Sequence, residues 1–77
     1  MDEKEIAQKL YSKIDMAIFE KKLTYKEVAK NIGTSNQNFS DQMINLKKGK
    51  FITIRTLLKI EKFLGLNLIS FDLKFPK

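Results

Sequence analysis

The sequence contains no cysteine and no histidine. That removes disulfide staples, zinc sites of the Cys/His kind, thiol nucleophiles and imidazole general bases. Tryptophan is absent, and the lone proline, Pro76, lies at the tail where it breaks no element. No glycine-rich phosphate loop is present, and the remaining reactive side chains are scattered carboxylates, Ser, Thr, Lys and two Tyr. With 77 residues there is room for one small domain that buries about 60% of its surface, and little room for a pocket of ordinary size. The expectation is a protein that is not an enzyme and uses no cofactor, no metal and no small-molecule ligand. No apolar run approaches the roughly 20 residues that span a bilayer. The opening Met1-Asp2-Glu3-Lys4-Glu5 is acidic where a secretory signal is basic and then apolar. No membrane partner and a cytoplasmic location are expected.

What the chain has in excess is positive charge. Fifteen Lys+Arg oppose nine Asp+Glu for a net charge of +6. Without histidine that charge stays nearly constant from about pH 6 to 9. Every basic residue except Arg55 is lysine, beside many Ile and Asn, a bias that A/T-rich codons alone would produce. Distribution is therefore more informative than the total. From Lys21 to Lys59 there are nine basic residues and only two acidic ones, Glu27 and Asp41, a balance of +7, whereas the rest of the chain carries −1. Codon bias raises lysine everywhere but does not keep acids out of the middle, so an acidic partner is indicated.

Hydrophobic spacing gives the elements. Ile6, Leu10, Ile14 and Ile18 recur every fourth residue beside Ala7 and Ala17, one apolar stripe on a helix over about residues 3 to 21. Thr24-Tyr25-Lys26-Glu27 is a capping box, flanked by Leu23 and Val28 as a hydrophobic staple, and opens a short second helix to about Ile32. Eight residues do not hold a helix in isolation, so Val28, Ala29 and Ile32 must be packed. Gly33-Thr34-Ser35 turns the chain, and Ser35 caps a third helix from Asn36 to about Leu46 with Phe39, Met43 and Leu46 inward. A fourth helix follows the Thr53 cap and ends at Gly65; Leu57, Leu58, Ile60, Phe63 and Leu64 make it the most apolar, suited to the centre of the core. Gly33, Gly49 and Gly65 each stand where a helix should close.

Beyond Gly65 the period changes to two. Ile69, Phe71, Leu73 and Phe75 alternate with Ser70, Asp72 and Lys74, the pattern of a half-buried strand. A lone strand has no pairing partner within a helical chain. Pairing with the same strand of a second molecule satisfies its backbone and covers its apolar face, so these four residues are the candidate homodimer interface. The alternative is that they cover the chain's own core.

The run from Leu23 to Ser35 reads LTxxEVAxxIGTS, and the run from Thr56 to Gly65 reads TLLKIxKxLG. In order and spacing these segments resemble the Cro/C1-type (XRE-like) helix-turn-helix family of phage and bacterial regulators, over about residues 10 to 66. The small Ala29 stands where two helices cross in that family. The resemblance implies an all-α, compact four-to-five-helix bundle with a central helix-turn-helix (lambda repressor-like), with a short C-terminal β-strand like the tail by which some small Cro-like proteins dimerise. Residues 1–66 would form the DNA-binding domain and 67–77 the dimerisation tail. Two departures stand out: Tyr25 replaces the Gln that usually opens the second helix, and Asn45-Leu46-Lys47-Lys48-Gly49-Lys50 is longer than, or shifted from, the family's ENGK-like ending.

On this resemblance the third helix enters the major groove of double-stranded DNA. Its outward stripe, Asn36, Gln37, Ser40 and Asp41 with Ile44, would face base edges: Asn and Gln can pair in bidentate fashion with adenine, and Asp41 can accept from cytosine N4. Tyr25, Lys26, Ser35, Asn38, Lys47, Lys48, Lys50 and Arg55 are the candidate phosphate contacts, which supply affinity rather than choice of sequence. The implied function is a Cro-like repressor acting as a homodimer on a pseudo-palindromic operator. The alternative is a protein-interaction module, an antitoxin or adaptor, built on the same scaffold.

Overall fold

The computed structural model describes residues 2–68, which form four helices and, among the described residues, no strand. These are α1 (Glu3–Glu20), α2 (Tyr25–Ile32), α3 (Asn36–Lys47) and α4 (Ile54–Leu64). The four helices expected from spacing are observed. The segment carrying Ile69, Phe71, Leu73 and Phe75 lies outside the described residues. No described helix is long and apolar enough to cross a membrane.

Each helix begins on a side-chain oxygen that relieves an orphan N–H. At α2 the Thr24 hydroxyl accepts from the Glu27 amide at 3.1 Å, and the Glu27 carboxylate accepts from the Thr24 amide at 2.8 Å. The same reciprocal arrangement opens α1, where Asp2 accepts from the Glu5 amide at 2.9 Å and Glu5 accepts from the Asp2 amide at 3.2 Å. Ser35 caps α3 and Thr53 caps α4, each through one hydroxyl.

The helix ends share one device. A residue in the left-handed region follows each helix, and the amide after it reaches back five residues: Leu23 to Ile18, Thr34 to Ala29, Lys50 to Asn45 and Leu66 to Glu61, all at 2.8–3.0 Å. Three of the left-handed residues are Gly33, Gly49 and Gly65, as the punctuation suggested. The fourth is Lys22, with φ 57°, so α1 closes in the same way without a glycine. Gly49 carries a second constraint, because a Cβ there would run into the Lys4 side chain of α1.

The core gathers the apolar stripes of all four helices. α3 packs on both α1 and α2, and α4 packs on α2 and α1. Phe39 lies at 0% exposure among Ala7, Ile14, Val28, Ala29, Met43, Leu46, Leu57 and Ile60, which are all buried. Two expectations need correction: on α4 Leu58 and Phe63 are exposed rather than central, and on α1 Ile6 is only half-buried. The buried positions of α4 are Leu57, Ile60, Glu61 and Leu64, a single stripe with the 3,4 spacing of one helix face. Leu58 and Phe63 fall off that stripe, and a carboxylate falls on it. Glu61 is suited to the interior because its Oε2 accepts the Leu68 amide at 2.7 Å and ties down the chain beyond Gly65.

A left-handed lysine stores backbone strain that glycine lacks. Lys22→Gly should therefore raise unfolding free energy by about 0.5–1 kcal/mol, read as a higher urea midpoint at unchanged slope. Gly49→Ala should lower it, and by more than Gly33→Ala, because at Gly33 an added Cβ meets nothing within 4 Å.

Candidate nucleic-acid interface

The segment from Thr24 to Lys47 holds a short helix, a three-residue connection and a longer helix. The connection is compact because Gly33, at φ 80° and ψ 35°, reverses the chain while the Thr34 amide closes on the Ala29 carbonyl at 2.9 Å. Ala29 is fully buried; a larger side chain there would collide with neighbouring core atoms. The start of α3 is fixed by two further bonds, Asn38 amide to Ser35 Oγ at 3.0 Å and Asn38 Nδ2 to Thr34 Oγ1 at 2.6 Å. Its far end is held by α1, where Gln8 Nε2 donates to the Lys47 carbonyl at 3.1 Å and so satisfies an orphan acceptor.

Between those anchors α3 has two unlike sides. Phe39, Met43 and Leu46 are buried at 0%, 1% and 0% exposure. Asn36, Gln37, Asp41 and Ile44 are exposed, and Ser40 is half-buried. Apart from Ser40 the stripe is open among the described residues. Gln37 and Asp41 are brought together, with Gln37 Nε2 donating to Asp41 Oδ1 at 2.9 Å, so the two present one joined donor and acceptor surface. Asn36 stands ahead of them at the first helical position. In this first turn the Asn36 and Gln37 amides have no intrahelical acceptor, which leaves two N–H groups and a partial positive charge facing outward.

The candidate phosphate residues divide into four sets. Ser35 and Asn38 are engaged in the cap and the turn, and both are exposed. Lys26, Lys48, Lys50 and Arg55 are exposed cations with no ion pair among the described residues. Lys47 is exposed with its ammonium 5.9 Å from the centre of the Tyr11 ring, on the side of α3 that meets α1. Tyr25 is placed differently from the rest. Its ring stands edge-on to Phe39 with centroids 5.0 Å apart, and its hydroxyl donates to Asp15 Oδ1 at 3.1 Å. The side chain thus joins α1, α2 and α3, and its proton is already engaged.

Several features were not legible beforehand. Phe51 and Ile54 are exposed between Lys50 and Arg55, so the loop before α4 presents apolar surface as well as charge. Gln42 lies beside a cleft of about 160 Å³ that includes Thr34, Asn38, Thr56 and Lys59, and its Oε1 is buried without a donor among the described residues. A polar cleft of that size admits water. Only the side-by-side packing of α2, α3 and α4 creates it, so no sequence pattern announces it.

No protein-family model matches the chain, and neither a curated protein nor a solved structure matches it significantly. Whatever this surface does has to be read from its own chemistry.

Burial, then the bond to Asp15 and its charge, pushes the Tyr25 phenol well above its ordinary value of 10.0. The folded chain therefore holds this proton more tightly than the unfolded chain does. The corresponding stability is complete below pH 10 and is lost as pH rises from there towards the raised folded value. Tyr25→Phe should cost about 1 kcal/mol at pH 7. The gap between the two proteins should narrow steadily above pH 10, as measured by urea unfolding of both across that range.

Proposed function

We propose that this chain is a sequence-specific DNA-binding regulator of helix-turn-helix type, acting as a homodimer that represses by occupying an operator. The observation that carries the reading is the division of α3. One stripe is clamped in the core at essentially zero exposure, while on the opposite polar stripe Asn36, Gln37 and Asp41 are exposed and Ser40 is half-buried. An α-helix of about 10–12 Å diameter fits a major groove of about 12 Å, where each base pair shows a distinct pattern of donors and acceptors.

In this reading Asn36 and Gln37 read bases from the N-terminal end of α3. Asp41 takes part through its bond to Gln37, which orients the amide and keeps the carboxylate from standing unpaired beside phosphates. Ile44 offers an apolar contact of the kind that suits a thymine methyl. Lys26, Lys47, Lys48, Lys50 and Arg55 supply sequence-independent attraction, with Ser35 and Asn38 adding neutral hydrogen bonds. Tyr25 acts chiefly by positioning α3 against α1; a direct phosphate contact would require its hydroxyl to leave Asp15. Dimerisation through Ile69, Phe71, Leu73 and Phe75 would set two reader helices about 34 Å apart, one helical turn of DNA.

The second reading, a protein-interaction module, draws on α1. Phe19 is 81% exposed and Met16 60% exposed, and Met16 borders a groove of about 320 Å³ with Ala17 and Leu66. Exposed apolar surface of this kind suits a protein partner.

Selection of bound fragments from random duplex DNA separates the two. The regulator reading expects a two-fold symmetric motif with half-sites about 10 base pairs apart. Absence of any enriched motif, with capture of a protein partner instead, would favour the module. At the selected site Gln37→Ala should cost about 1–3 kcal/mol and little elsewhere, whereas Lys48→Ala should weaken all sequences alike and flatten the salt dependence. Truncation before Ile69 should yield monomers by sedimentation and poor operator binding; a persistent dimer would remove the tail from the interface.

A further inference from the structure

A groove of about 480 Å³ runs between the C-terminal end of α2 and α4, away from the outward stripe of α3. It is bordered by Lys30, Lys59 and Lys62, by Asn31, and by the apolar surface of Ile32, Gly33 and Phe63. Among the described residues no carboxylate lines it, and none of the three lysines has an ion pair. Phe63 is 37% exposed although it belongs to the most apolar helix, and Gly33 leaves open space where any other residue would place a Cβ. The site thus joins three uncompensated positive charges to an apolar strip.

That pairing narrows the occupant. A purely apolar segment would leave three lysines facing it without counter-charge. A small inorganic anion would use one or two lysines and ignore Phe63. A phosphate backbone would answer the charge and leave the apolar strip uncovered. A polypeptide with carboxylates on both sides of a large apolar residue meets both demands. We propose that this groove binds an acidic segment of another protein, with one large apolar side chain seated against Phe63 and Ile32 and its flanking carboxylates on Lys30, Lys59 and Lys62. None of these lysines is among the residues assigned to DNA, so the proposal stands or falls separately from the regulator reading.

The test uses the full chain, isotopically labelled, and three probes: a synthetic twelve-residue peptide with Glu and Asp flanking a central Leu-Phe pair, the same peptide with Gln and Asn in place of its acids, and a duplex of random sequence. The acidic peptide is expected to move the Gly33, Lys62 and Phe63 resonances saturably. Its affinity should fall on the order of tenfold in the K30Q/K59Q/K62Q variant and weaken similarly as salt rises from about 50 to 500 mM. Phe63→Ala should also weaken it several-fold, which a purely electrostatic attraction would not show. All four side chains are exposed, so these variants should fold, as helical circular dichroism will verify. Equal binding of the neutral peptide, resonance changes with the duplex but not with the peptide, indifference to Phe63→Ala, or no saturation by about 1 mM peptide would each overturn the proposal.

Discussion

Phe39 cannot be in two places. With its ring at zero exposure and the edge of Tyr25 5.0 Å away, it fixes the rotation of α3 about its own axis, and Met43 and Leu46 hold the same orientation further along. A helix of 12 residues is marginal in water, and burying each of these side chains contributes roughly 1.5–3 kcal/mol to holding it. Once that stripe is inward, helical geometry sends Asn36, Gln37 and Asp41 outward. The Thr34–Ala29 closure and the Ser35 cap restrain one end, and the Gln8 bond to the Lys47 carbonyl restrains the other. The candidate reading surface is therefore displayed by a rigid element rather than by a loop, which is what discrimination between hydrogen-bonding partners demands.

Charge is arranged around this frame with little internal compensation. The cations from Lys26 to Lys62 are exposed, while the acids of α1 and its cap lie elsewhere, in the cap and first turn (Asp2, Glu3, Glu5), beneath Tyr25 (Asp15) or at the end (Glu20). Asp41, the one acid on α3, is engaged by Gln37. Exposed ion pairs contribute little to stability, so leaving these lysines unpaired costs the fold little and keeps them free for an external anion. We propose two such anions for two different surfaces: duplex DNA for the polar side of α3 with its flanking loop, and an acidic polypeptide for the lysine-edged groove beside Phe63.

Much of the fold was legible because local signals agreed with one another. The Thr24–Glu27 box, the Ser35 and Thr53 caps and the three glycines marked helix limits to within a residue or so, since each acts through bonds only a few positions long. Where structure departed from expectation, the cause was tertiary. Leu58 and Phe63 are as apolar as their neighbours, but the stripe that meets α2 and α1 passes through Leu57, Ile60 and Leu64, and Glu61 is accommodated inside where its carboxylate accepts the backbone amide of Leu68. Lys22 carries no chemical mark of a left-handed residue, yet the close return of the chain into α2 requires one. At the candidate site the polar stripe was readable from spacing, whereas the Gln37–Asp41 link, the anchoring of Tyr25 to Asp15 and the exposed Phe51 and Ile54 depend on rotamers and loop paths that periodicity does not encode.

The most direct trial of the idea that the uncovered side of α3 meets nucleotide edges is a nuclear Overhauser measurement on the complex with a selected duplex. The side-chain amides of Asn36 and Gln37 should show contacts to base protons of the major groove, while amides of α1 stay unmoved. Contacts confined to α1, or a duplex that perturbs lysine signals without touching either amide, would contradict it.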